Sequence, residues 1–147
     1  KILLAIDNSK TSEAAVQAVL AQVHSKDTHV RVLHVVVPPS LLVVGEMGGY
    51  DPAIEAAWEQ VTKQGQALVE KAAEELRTHG ITTSTAVQQG DPKSMILGES
   101  EEWDADTIVL GSHERKALDR FSPGSVSEAV ARDARCSVEI VRIPLSL

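Results

Sequence analysis

The chain has 147 residues, 43% hydrophobic and 24% charged, with a formal net charge of -7; this suits one globular domain spanning 1–147 and excludes a disordered acidic tail. A single cysteine, Cys136, excludes an internal disulfide framework and any multi-cysteine zinc site, and fits a reducing compartment. The acidic balance and four aromatic residues argue against a nucleic-acid partner, and the lack of any apolar run near ~18 residues or of a signal-peptide pattern argues against a membrane, so the expected location is the cytoplasm.

The first predicted element, Ile2–Ile6, is a continuous apolar run of the kind required by a strand covered on both faces. It stops at Asp7-Asn8-Ser9, and Ser9 or Thr11 is placed to cap a helix from about Ser12 to His24, with Ala15, Val19, Leu20 and Val23 on one side. A second strand, His29–Val37, ends at Pro38-Pro39. Ser40 to Asp51, with Gly45, Gly48 and Gly49 and no helical period, reads as a loop. Pro52 opens a long helix to about His79, with Ile54, Trp58, Val61, Leu68, Ala72 and Leu76 predicted on its buried side. The third strand, Ile81–Gln88, alternates apolar residues with Thr and Ser and belongs at an edge. After Gly90-Asp91-Pro92 a helix carries Met95, Ile96 and Leu97 towards Trp103. Strand four is Thr107–Leu110, closed by Gly111. A last helix runs from about Ser125 to Asp133, and strand five is Ser137–Ile143.

Strict alternation of strand and helix predicts an α/β fold, a doubly wound five-stranded parallel sheet with helices on both faces. Strands one, two and four are the most apolar and strand three the least, which an order of 3-2-1-4-5 satisfies. That order reverses chain direction between strands one and four, and ligands of such sheets bind beyond the carboxyl ends of the strands at this switch point. Asp7 and the Gly111 loop are presented there.

The segment Gly111–Val126, GSHERKALDRFSPGSV, holds the most chemistry. Gly111 and Gly124 let backbone approach a ligand, and Gly124-Ser125 opens a helix whose N-terminal N–H groups suit a phosphate. Ser125 adds a hydroxyl, and Arg115, Lys116 and Arg120 add positive charge. The same residues also read as a glycine turn and a serine-capped helix without a ligand. No Gly-Lys-Ser/Thr triplet makes this a P-loop, and DNSKTS after strand one is no dinucleotide fingerprint.

The segment resembles the signature of the universal stress protein family, G-x2-G-x9-G-[ST]. The resemblance extends over the chain through KILLAIDNSKTSEAAV, LHVV, GDP, IVLGSH and GSVSEAVARDARCSVEIVR. It departs at Glu114, which stands where the pattern has its second glycine, and at Ser122-Pro123, where the family has an apolar run. A carboxylate there repels a phosphate by about 1 kcal/mol at ~4 Å in water. The resemblance implies a stress-response or regulatory module holding ATP or a related adenine nucleotide, with or without Mg2+. Asp7 would lie near the ribose, Ala5 and Val35 at the adenine, and Gly111, Ser112, Gly124, Ser125 and Val126 around the phosphates and ribose. It also implies a homodimer joined through strand five, an apolar edge that invites pairing. The alternative is a nucleotide-free homodimeric interaction protein of the same fold. An enzyme is not expected, because no general base can be argued from the sequence.

Other candidates carry less. His34 and His113 read as structural histidines rather than a metal pair, and Cys136 as a buried thiol rather than a nucleophile. Glu59, Lys63, Glu70, Lys71, Glu74 and Glu75 form a solvated face of the long helix.

Overall fold

A computed structural model describes residues 1–38, 52–112 and 126–143. The loop read over Ser40–Asp51 lies outside them. Among the described residues, five strands and four helices follow in the order β1 Ile2–Ala5, α1 Lys10–Gln22, β2 His29–Val36, α2 Pro52–Thr78, β3 Thr82–Gln89, α3 Pro92–Glu102, β4 Thr107–Gly111, α4 Val126–Asp133 and β5 Ser137–Val141. The sheet is parallel throughout, with spatial order β3-β2-β1-β4-β5. This is the arrangement expected from the apolar runs.

Alternation along each strand sorts the side chains into two cores. Leu4, Ile6, Val30, Val32 and Val109 pack against Ala15, Val16 and Val19 of α1 and Val69, Ala73 and Leu76 of α2. Leu3, Ala5, Leu33, Ile108 and Leu110 pack on the opposite face against Ile96 of α3 and Val130 of α4. Leu3, Leu4, Leu33, Leu76 and Ile108 are fully buried, each worth roughly 1.5–3 kcal/mol against exposure. β3 has no fully buried residue, as its Thr and Ser alternation predicts.

Local signals set the helix starts. Ser9 caps α1, accepting from the N–H of Ser12 at 3.2 Å; of the two residues considered, Thr11 lies inside the helix. Asp91 caps α3, accepting from the Ser94 N–H at 3.0 Å, with Pro92 in the first turn.

The long helix departs from expectation. Ala72 and Leu76 are buried, but Ile54 and Trp58 are half-buried and Val61 is 37% exposed. Burial begins at Gly65, which stands over His34, Val36 and Val87 near the carboxyl ends of β2 and β3. The preceding three and a half turns therefore project beyond the sheet. The helical period correctly gives the apolar stripe, but the strands are too short to cover it.

A charged network lies under α3. Arg31 Nη1 donates to Glu99 Oε1 at 2.7 Å, and Gln88 donates to the other oxygen of that carboxylate. Glu99 is buried although acidic, at 8% exposure. The Arg31 guanidinium lies 4.5 Å from the Trp103 ring centroid, a cation–π distance. His29 meets the same ring edge-on and shares a hydrogen bond with Ser84. Burial first, then the neighbouring Arg31, lowers the pKa of His29 from its ordinary value.

Candidate functional site

Where β1 ends, the chain leaves the sheet at the point where the strand order reverses. Ile6 still donates its N–H to Leu33 O at 2.9 Å, extending the pairing with β2 by one residue. Asp7 then turns towards α1. Its N–H donates to Ser12 Oγ at 2.8 Å, and the Ser12 hydroxyl donates to Asp7 Oδ1 at 2.9 Å. Asp7 is thus not the helix cap, a role Ser9 fills; it is a carboxylate held in place by the first turn of α1.

A cleft of about 150 Å3 opens beside this turn. Ala5, Leu33, Val35 and Leu110 supply apolar strand ends, and Pro92 and Ile96 of α3 form one wall. Asp7 and Ser12 stand at a second side, and Gly111, Val126 and Ser127 at a third. Val126 and Ser127 are the first residues of α4, so the positive end of that helix opens on the cleft. Apolar surface for a planar ring, a carboxylate to accept from hydroxyls and a helix N-terminus for an anion are the parts a nucleotide requires.

Ala5, Asp7, Val35, Gly111 and Val126 are therefore brought together. Ser112 does not line the cleft, and its N–H is already engaged by the Val141 carbonyl at 2.8 Å. Gly124, Ser125 and Glu114 lie outside the described residues, as does His113. Gly111 has a further reason to be glycine. A Cβ there would lie 2.6 Å from the carbonyl carbon and 2.7 Å from the carbonyl oxygen of Thr11. Close passage of α1 over β4, not only ligand approach, demands the missing side chain.

Sequence reading missed Ser12, Pro92, Ile96 and Ser127. For Pro92, Ile96 and Ser127 the signal was present: in a parallel sheet the following helices begin at the carboxyl end, where the site lies. Nothing local marked Ser12, whose bond to Asp7 depends on the fold of the turn. Cys136 is half-buried against the α3 and α4 core, and burial pushes its thiol pKa up, away from nucleophilic character. Among the described residues no group of three or more His, Cys, Asp or Glu is arranged to hold a metal, and no helix is long and apolar enough to cross a membrane.

Comparison with known proteins matches residues 1–142 to the universal stress protein family. The chain is 32% identical over 146 residues to universal stress protein YxiE of Bacillus subtilis, covering 97% of this chain and 98% of that one. Among solved structures, that of the hypothetical protein MJ0577 superposes with a TM-score of 0.82 at 26% identity, covering 99% of this chain and 96% of the other. A universal stress protein family structure from Arabidopsis thaliana with AMP bound has a TM-score of 0.71 at 20% identity, over 97% and 91% of the two chains. A universal stress protein in complex with cAMP has a TM-score of 0.70 at 18% identity, over 95% and 94%.

Proposed function

The chain belongs to the universal stress protein family, and from that premise we propose that it binds an adenine nucleotide in the switch-point cleft as a homodimeric, cytoplasmic regulatory module of a stress response. The observation that carries this reading is the convergence of Ala5, Val35, Asp7, Gly111 and Val126 on one cleft. The base lies along Ala5 and Val35, Asp7 accepts from ribose hydroxyls, and the phosphates face the N-terminus of α4. Two fold relatives hold AMP and cAMP, which supports an adenine ligand. ATP extends the same ligand, and a Mg2+ ion arriving with it would be carried largely by the phosphates. The protein holds the nucleotide rather than transforming it.

The test is calorimetric titration of AMP, ADP and ATP into protein refolded free of co-purified ligand. Saturable one-to-one binding is expected, and no heat with any of the three overturns the reading in favour of a nucleotide-free interaction protein. Glu114→Gly should tighten ATP by about fivefold, the scale of one like-charge contact, with a smaller gain for AMP, whose single phosphate reaches less far. Equal gains for both mean that the carboxylate does not meet the outer phosphates.

The dimer is proposed through β5. Among the described residues this strand pairs with β4 alone, and Val138, Glu139, Ile140 and Val141 are all half-buried. The Val141 carbonyl points to Ser112 and hence towards β4, so the N–H groups facing the open side belong to Ile140 and its alternates. Ile140→Pro deletes one outward donor and is expected to convert the dimer to a folded monomer, read by light scattering with circular dichroism as the control. A wild-type protein that is monomeric at roughly tens of micromolar overturns the proposal.

A further inference from the structure

We propose that His34 is a positioning residue for the nucleotide site, fixing the Ile6–Asp7 peptide plane and with it the direction of the Asp7 carboxylate, and that Gly65 is the gap in α2 that admits its ring. The inference rests on the nucleotide reading and extends it to a residue on the far face of the sheet.

His34 Nδ1 lies 2.8 Å from the Ile6 carbonyl oxygen. A carbonyl only accepts, so Nδ1 carries the proton and donates. The Ile6 C=O and the Asp7 N–H belong to one rigid peptide unit. Its other edge is held too, since the Asp7 N–H donates to Ser12 Oγ at 2.8 Å. The plane preceding Asp7 is therefore clamped on one edge by β2 and on the other by α1. The same Ser12 hydroxyl then donates to Asp7 Oδ1. With backbone and side chain both constrained, the carboxylate has little freedom to turn away from the cleft.

The ring in turn is constrained by α2. A Cβ on Gly65 would stand 2.8 Å from His34 Cδ2 and 3.5 Å from Val36 and Val87. The helix comes this close only because residue 65 lacks a side chain, and in doing so it stops the ring from swinging off the carbonyl. His34 does not line the cleft, whereas its neighbours Leu33 and Val35 do. It stands on the α1 and α2 face, so it influences a ligand only through the Ile6–Asp7 turn.

The experiment measures AMP affinity in a double-mutant cycle on the full chain. His34→Phe should weaken AMP by about fivefold, the scale of one net hydrogen bond, in an otherwise wild-type chain, and have little effect in an Asp7→Ala background. His34→Asn, whose amide reaches the Nδ1 position, should restore most of the affinity. Gly65→Ala, crowding the ring from the helix side, should reproduce the Asp7-dependent loss if His34→Phe folds poorly. Equal fold-losses in both backgrounds, or unchanged AMP affinity in a folded His34→Phe protein, overturn the proposal. Amide exchange at Asp7 in ligand-free protein supplies the independent readout: it should quicken about fivefold in His34→Phe while Leu4 is unchanged. If the wild type binds no nucleotide but Asp7 exchange responds as stated, the binding reading fails and the clamp stands. If Asp7 exchange is unmoved, the clamp fails whatever binds.

Discussion

Gly111→Ala is expected to destabilise the protein by about 1–3 kcal/mol, the usual cost of forcing a methyl into filled space, and, on the nucleotide reading proposed above, to weaken AMP binding at the same time. The added Cβ would sit 2.6 Å and 2.7 Å from the carbonyl carbon and oxygen of Thr11 and 2.8 Å from its Cβ. The nearest of these are backbone atoms and cannot rotate aside. Thr11 is buried in the first turn of α1, so relief requires that helix to lift from β4. Ser12 moves with it, and Asp7 loses the two bonds it makes with Ser12. Urea unfolding read by circular dichroism gives the stability change, and titration of AMP gives the affinity change. Gly111→Val should exceed the alanine effect. An unfolding free energy within about 0.5 kcal/mol of wild type would mean that α1 yields freely, and the close packing would lose its significance.

Glu99→Ala is expected to cost about 3 kcal/mol, the lower part of the range for breaking a buried ion pair. The substitution removes the acceptor of both Arg31 and Gln88. Arg31 keeps its place over Trp103 and is 26% exposed, so water recovers part of what its charge loses, which sets the cost below the upper limit. Replacing both partners with apolar residues, Arg31→Met with Glu99→Leu, should be far less harmful than either single loss predicts, because no unpaired charge remains. Chemical denaturation of the wild type, Arg31→Met, Glu99→Leu and the double variant checks this. Additive single and double effects would show that the two charges stabilise nothing jointly.

Much of this architecture was legible because each strand reports its surroundings. Leu3 and Leu4 are both apolar because they face different helical layers, while Thr82, Ser84 and Gln88 betray an edge. Chain direction and the switch point follow from that contrast, and Asp7 and Gly111 follow from the switch point. What stayed hidden depends on contacts made only after folding. Glu99 lies among residues of the solvated type, and acidic side chains are seldom buried; its partner is 68 positions away. Ile54, Trp58 and Val61 share a helical face with Ala72 and Leu76, but periodicity carries no information about where the supporting strands stop. Gly111 was read as room for a ligand, whereas the nearest claimant for that room is another part of the chain.

The projection of α2 past the sheet divides one continuous helix into two tiers of cohesion. From Gly65 onward, Val69, Ala73 and Leu76 tie it to the core, and those turns open only when the whole domain does. The earlier turns, about 20 Å of helix at 1.5 Å per residue, carry no fully buried side chain. Such a segment is marginal by itself in water, so it can fray while the sheet stays intact. The boundary falls at Gly65, whose neighbour His34 reaches Ile6. Movement of the outer turns therefore bears, through Gly65 and His34, on the turn that follows β1, making the first half of α2 a lever whose fulcrum is a glycine.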